Sequence, residues 1–338
     1  MAIALRLAKQ GCFGVKGNPM VGCVITKDKE IIAKGYHHKF GEAHAEIDAL
    51  DKISHQAKNT TMYVNLEPCS HTGKTPPCAK AIIDSGVSRV VISSLDPNPK
   101  VSGKGVKMLE KSGVKVDIGL LENEAKTLNQ GFFKRMSTSM PFVTCKIAMS
   151  LDGKTSMSSG ESKWISSEAS RLDVQRLRAQ NQAIITGSGT VLTDDPFMTV
   201  RLEHLDSKPL RVVVDGNNQI QNKNFNIFSD DAPTLIFNQD NAKTVASGKL
   251  DLENILHELA NKEMNNVLLE AGPGLVGAMI ENRLIDQFII YIAPMLMGSN
   301  ANSLAKLALD TMAEKVNLEI QDIRMLGPDI KLSAGVKT

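Results

Sequence analysis

An α/β fold in two domains is what this sequence predicts, and three observations carry the prediction. Short apolar, β-branched runs alternate with helix-forming stretches, the pattern of a largely parallel sheet layered with helices. Two of those runs pass directly into glycine-rich turns, at Gly187-Ser188-Gly189 and Gly272-Pro273-Gly274, as at a strand-to-helix crossing. A chain of 338 residues can bury two cores of ordinary size, and small polar residues followed by Pro141 make a seam. The expected domains are therefore 1–140 and 141–338.

In the first domain, residues 2–10 are good helix formers stopped by Gly11. Residues 18–25 and 31–36 are apolar runs joined by a charged turn, which predicts a hairpin. A helix is predicted over 44–57, where Ile47, Leu50 and Ile53 share a face, with His44 and Glu46 in its first turn. A buried strand over 61–66 ends at Glu67-Pro68-Cys69, and Pro77 suits the start of a helix carrying Cys78. Strands at 89–93 and 114–118 flank a helix over 103–111, and 122–135 reads as a further helix.

In the second domain, 142–149 predicts a strand buried on both faces with Lys146 in its middle. An ammonium there must either reach solvent along its stem or enter a site, because burying it unpaired is costly. Helices are expected at 167–179 and 249–261, and strands at 183–186, 210–215, 234–237, 267–270, 287–294 and within 318–332. Glu270 closes a buried strand, so its carboxylate should meet a ligand or a hydroxyl. Trp164, the single tryptophan, reads either as core or as a ring-stacking platform beside Gly160.

Composition excludes several classes. With 39 basic and 37 acidic residues interspersed, the chain has no basic stripe for nucleic acid. No apolar run reaches the 18 residues or so of a membrane span, and no secretory signal opens the chain, so a cytoplasmic location is expected. Five irregularly spaced cysteines do not form a disulfide framework.

The chemistry concentrates at His44-Ala45-Glu46 and at Pro68-Cys69 through Cys78. One imidazole and two thiolates supply three of the four positions zinc prefers and leave the fourth for water, as in a catalytic site. The pKa of zinc-bound water falls from about 15.7 toward roughly 7. Glu46 follows the proposed ligand by two residues and can move protons without binding metal, as in the H-x-E…P-C-x-x-C deaminase signature.

Eight residues rather than two separate Cys69 from Cys78. That loop, P-C-S-H-T-G-K-T-P-P-C, resembles the RibD (RibG) family of bifunctional riboflavin biosynthesis enzymes. In that family a diaminohydroxyphosphoribosylaminopyrimidine deaminase is joined to a 5-amino-6-(5-phosphoribosylamino)uracil reductase. The resemblance continues in chain order through Asn18-Pro19, Asp96-Pro97-Asn98-Pro99, the run K-I-A-M-S-L-D-G-K at 146–154, Gly187 to Arg201, and Glu270-Ala271-Gly272. It departs at Lys16-Gly17, Met198 and Gly274, where the family more often has Ser-Pro, Leu and Thr.

The resemblance implies a cytidine deaminase-like three-layer domain followed by a dihydrofolate reductase-like domain. It implies one zinc per chain on His44, Cys69 and Cys78, with Glu46 catalytic. Substrate contacts are implied at Asn18, His37, His71 and Lys74, and in the second domain at Lys146, Ser162, Arg178, Met198, Arg201 and Glu270. Arg178 and Arg201 would face phosphate. NADPH is implied at Ala148, Trp164, Thr190, Asp194, Gly216, Gly272, Pro273, Gly274, Leu275, Val276, Gly277 and Ala278. Small phosphoribosylaminopyrimidine substrates and a homo-oligomer, dimer or tetramer, are expected.

Two other readings compete. One is a single-site nucleoside or tRNA base deaminase with a C-terminal binding module, which the near-neutral charge disfavours for RNA. The other is a non-enzyme whose zinc is structural, with His71 as the nearby candidate for a fourth ligand.

Overall fold

The computed structural model describes residues 1–70, 77–98 and 101–337, which form two compact units, Met1–Ser139 and Met140–Thr338. In the first, β1 (Gly22–Lys27) and β2 (Glu30–Tyr36) make the hairpin. Next to β1 lies β3 (Thr61–Leu66), antiparallel to it, then the parallel strands β4 (Arg89–Ser94) and β5 (Lys115–Ile118), in the order β2-β1-β3-β4-β5.

Helices cover both faces. Along β1 the faces alternate, as a pleated strand requires. Gly22 backs onto α1 (Ala2–Ala8), where a Cβ would stand 2.0 Å from the Ala4 carbonyl. Cys23 and its partner Gly35 face α2 (Ala45–Asp51), and α3 (Cys78–Asp84) and α4 (Lys104–Lys111) close the core on that side. Met62, Val64, Val90 and Ile92 of the central strands fill that core together with Ala49, Leu50, Ile82 and Leu109.

The helix expected over 44–57 is shorter than its periodicity suggests. It stops at Asp51, and Ser54 and His55 take positive φ in the turn that follows. The helix expected over 122–135 splits into α5 (Glu122–Leu128) and α6 (Gln130–Thr138). Asn129 at the break turns its amide to the Met20 backbone, accepting its N–H at 2.8 Å and donating to its carbonyl at 2.9 Å.

The second unit holds β6 (Phe142–Ser150), β7 (Lys154–Ser156), α7 (Glu168–Gln180), β8 (Ala183–Gly187), α8 (Ser188–Asp194), β9 (Leu210–Asp215), β10 (Thr234–Asn238), α9 (Leu252–Asn261), β11 (Asn266–Leu269), α10 (Pro273–Glu281), β12 (Gln287–Ala293), β13 (Asn302–Ser303), β14 (Leu318–Leu326) and β15 (Asp329–Val336). Its large sheet runs β10-β9-β8-β11-β6-β12-β15-β14, parallel from β10 through β12 and antiparallel over the final hairpin. The small pair β7–β13 carries no β-branched alternation and was not expected from sequence. The strand expected within 318–332 is a hairpin of two strands, Leu318–Leu326 and Asp329–Val336, turning at Gly327.

Gly35 gives a direct test of the first core, since a Cβ there would lie 2.4 Å from the Ala45 carbonyl and 2.5 Å from the Ala49 nitrogen. Gly35→Ala should cost about 1–3 kcal/mol by forcing β2 from α2. The expected readout is a lower urea midpoint for the first transition with an unchanged slope.

Candidate active sites

Three elements bring the metal-ligand candidates together in the first unit. His44 is the N-cap of α2, Cys78 is the first residue of α3, and Cys69 follows the C-terminal end of β3. One ligand atom from each lies within 4.8 Å of the others. The histidine atom facing the sulfurs is Nδ1, 3.2 Å from the Cys78 Sγ and 3.7 Å from the Cys69 Sγ. The Cys78 backbone N–H also donates to the Cys69 Sγ, at 3.3 Å. A nitrogen and two sulfurs at this spacing fit zinc, and among the described residues these three are the candidate ligands.

Electrostatics agree with that donor set. Hydrogen bonds from Cys78, and then from His44, pull the Cys69 thiol down to about 4, while the Cys78 thiol is pushed up by sharing its proton and by burial. Burial raises the Glu46 carboxyl to about 7. Its side chain, 3% exposed, lines the same cavity of about 290 Å³ as His44 and Cys69.

Asn18 and His37 line that cavity too. His37 Nδ1 donates to the Ala43 carbonyl at 3.0 Å, so Nε2 of the neutral ring is the acceptor for the Asn18 amide at 3.1 Å. Desolvation holds the His37 pKa below its ordinary value, consistent with that neutral form. Asn65 and Asn129 fix the loop behind Asn18 by gripping Met20 and Gly22. Neither asparagine carries a sequence motif, nor do Phe40 and Phe132, which complete the cavity wall. His71 and Lys74 lie outside the described residues.

In the second unit, Lys146, Arg178 and Glu270 converge. Glu270 is 5% exposed and meets two cations, Lys146 Nζ at 3.1 Å and Arg178 Nε at 2.6 Å, with Arg178 Nη2 at 3.0 Å. Its partners within the protein are thus this pair of cations. Although buried, the carboxyl is held down at about 2 by Arg178 and Lys146. Lys146 enters the site instead of snorkelling. Arg178, expected to face phosphate, commits its fork to Glu270 and a third N–H to the Thr199 carbonyl at 3.1 Å. Met198, expected to face substrate, is 5% exposed in a core cluster with Ile184, Val191 and Val213, and its sulfur lies 3.7 Å from Arg178.

The glycine-rich turns lie side by side, because β8 and β11 are neighbours and each opens a helix at its C-terminal end. Thr190 links them, its hydroxyl accepting the Gly272 N–H at 3.2 Å. Gly216 follows the end of β9, on the far side of β8 from β11. Free N–H groups at such helix starts suit phosphate oxygens. The 272–278 run divides, however: Val276 is core, and a Cβ on Gly277 would stand 2.0 Å from the Lys306 carbonyl, so these two side-chain positions face inward. Ser162 donates to Asp194 at 3.3 Å. Trp164 is 70% exposed with the Arg171 guanidinium 4.6 Å over its ring, which removes the core reading. Arg201 is exposed and lines a second cavity, of about 520 Å³.

Taken together, a zinc-type deaminase fold and a reductase fold on one chain define an enzyme with two activities. Residues 1–94 match the family described as the cytidine and deoxycytidylate deaminase zinc-binding region, and 141–332 match the RibD C-terminal domain. Riboflavin biosynthesis protein RibD of Escherichia coli (strain K12) is 44% identical over 356 residues, spanning 98% of this chain and 97% of that protein. The solved structure of Acinetobacter baumannii RibD, form 1, superposes with a TM-score of 0.92 at 39% identity, covering 100% and 98% of the two chains. A diaminohydroxyphosphoribosylaminopyrimidine deaminase/5-amino-6-(5-phosphoribosylamino)uracil reductase from Thermotoga maritima superposes at 0.90 with 32% identity, covering 100% and 97%. The chain belongs to the RibD family of riboflavin biosynthesis deaminase/reductases, whose cofactors are zinc and NADPH.

The Glu270 cluster yields a pH test. Its folded pKa of about 2 lies below the unfolded value of about 4.3. The ionised carboxylate therefore stabilises the fold fully above that unfolded value, and the contribution is lost as pH falls toward 2. Glu270→Gln leaves two partly buried cations without their counter-charge and should cost about 3–5 kcal/mol at pH 7. In urea unfolding the gap between parent and variant should narrow steadily from pH 5 to pH 2.5; a constant gap would contradict the pairing.

Proposed function

We propose that the first unit removes ammonia from 2,5-diamino-6-(5-phosphoribosylamino)pyrimidin-4-one and that the second reduces the ribosyl chain of the product to ribityl. The observation that supports this most is the convergence of His44, Cys69 and Cys78 beside the buried Glu46, on a chain aligned end to end with RibD proteins. Zinc held by those three side chains would supply water acidified enough to attack at neutral pH. Glu46 takes the proton of the attacking water and delivers it to the departing nitrogen. Asn18, its amide held by the neutral His37, presents its remaining polar atoms on the cavity wall and orients the pyrimidine.

In the second unit NADPH would supply hydride, held by the turns at Gly187, Gly216 and Gly272 with Thr190 between two of them. Arg178 keeps Glu270 ionised, and Glu270 holds Lys146 so that its ammonium can donate to the sugar. Arg201, exposed and free of that cluster, is the phosphate anchor, where a planar bidentate donor suits the anion. Cys12, Cys23 and Cys145 as free thiols, beside two thiolates assigned to zinc, fit a reducing, cytoplasmic compartment.

Self-association is part of the same proposal. On the edge strand β14, Leu318, Ile320, Ile323 and Met325 are exposed. A bulge between Ile320 and Asp322 keeps all four on one face, opposite Val336, Ala334, Leu332 and Ile330. An apolar sheet face of this kind suits burial against a second copy.

Incubation with the diaminopyrimidine ribosyl phosphate, following ammonia and NADPH separately, tests the two activities. Glu46→Gln should keep one zinc per chain while ammonia release falls by about 10²–10⁴, and NADPH oxidation on supplied deaminated intermediate should persist. Normal deamination by this variant would remove Glu46 from the chemistry. Arg201→Ala should raise KM for the phosphorylated intermediate far more than for a dephospho analogue; equal effects would exclude it from phosphate binding.

A further inference from the structure

Glu67 is a buried carboxylate in the wall of the deaminase cavity for which the mechanism has no use. At 4% exposure it accepts backbone N–H groups on both oxygens: Gly105 at 2.9 Å and Val106 at 3.2 Å on Oε1, Gly103 at 2.9 Å and Asp96 at 3.2 Å on Oε2. Four donors fill its acceptor capacity, so it is no second acid or base beside Glu46. They also tie three parts of the fold to one side chain. Glu67 sits just beyond β3 and two residues before Cys69, Asp96 follows β4, and Gly103 to Val106 start α4.

The backbone around this carboxylate is packed to match. Gly103 caps α4 with φ of +72°, and a Cβ on Gly105 would stand 2.0 Å from the Pro68 carbonyl, immediately before Cys69. Helix α4 is thus pressed against the corner that carries one metal-ligand candidate. Charged acceptors bound to several N–H groups are among the stronger hydrogen-bonded anchors in proteins.

We propose that Glu67 is a positioning residue of the deaminase site: its carboxylate locks the Pro68–Cys69 corner onto the start of α4 and onto Asp96, and so sets where the Cys69 thiolate stands relative to His44 and Cys78. This inference rests on the zinc reading above. Outer-shell groups that orient metal ligands are worth about 10–100-fold in metal affinity or activity when removed.

The test loads the full-length protein with cobalt(II), whose visible absorption reports ligand geometry, and measures zinc affinity by competition with a chelator. The parent should give an intense tetrahedral spectrum with thiolate bands; its absence would overturn the zinc reading itself. In Glu67→Gln two of the four N–H groups would face an amide N–H. This variant should shift the cobalt bands, weaken zinc about 10–100-fold and lower kcat for ammonia release with little change in KM, while NADPH oxidation on supplied intermediate stays at the parent level. A parent-like spectrum and affinity in a folded Glu67→Gln protein would overturn the proposal. If that variant does not fold, Glu67→Asp, which keeps the charge but withdraws it by one methylene, should show the same shift in smaller measure. Failure of both variants to fold, with or without zinc, would make the role purely architectural and would overturn the proposal as well.

Discussion

Everything in the first unit depends on holding one nitrogen and two sulfurs within 4.8 Å of one another, although His44 lies 25 residues before Cys69 and 34 before Cys78. No local structure can do that. The fold meets the constraint by starting two helices over the C-terminal end of one strand, so each candidate ligand is fixed by an element boundary instead of by a loop. The core beneath, from Cys23 to Val114, is what keeps α2 and α3 in register with β3. Small side chains at Gly35, Ala45 and Ala49 let α2 approach the sheet closely enough to deliver its N-terminus.

The second unit solves a related problem with charge. A carboxylate at the end of a central strand would be prohibitive alone, but Lys146 from the adjacent β6 and Arg178 from α7 meet it and leave a net positive cluster. Met198 and the Thr199 carbonyl brace Arg178 in turn, so the segment after Asp195-Pro196 serves the cluster structurally. On the neighbouring strands β8 and β11, two helices start at one end of the sheet and bring their N-terminal dipoles together. Both units thus place their polar groups at the C-terminal ends of parallel strands, where side chains and helix dipoles converge without breaking the hydrophobic layers.

Buried polar residues without a motif turn out to carry much of the support. Asn65 and Asn129 hold the Met20 backbone from two sides, and Asp329 accepts the Ser167 N–H and both the Ser167 and Ser170 hydroxyls at the start of α7. Arg211, fully buried, binds carbonyls of Phe197, Ser229 and Ala232 and so pins the loops around the second cavity. Each supplies hydrogen-bond partners to groups that lie partly or wholly out of water.

By itself the sequence determined the division of labour along the chain: the alternation of strands and helices, the two glycine-rich turns, and the His-x-Glu and Cys…Cys spacing that names a metal and its chemistry. These are local properties, set by side-chain type and by periodicity, and they can be read without coordinates. Tertiary structure alone decided which side chains meet. It turned Arg178 onto Glu270, put Met198 and Val276 into cores, exposed Trp164, broke a helix at Asn129 and surrounded Glu67 with four amides. The contacts at Arg178 and Asn129 depend on partners 20 to 109 residues away, whose approach is fixed by packing and desolvation and leaves no trace in the spacing of any one segment.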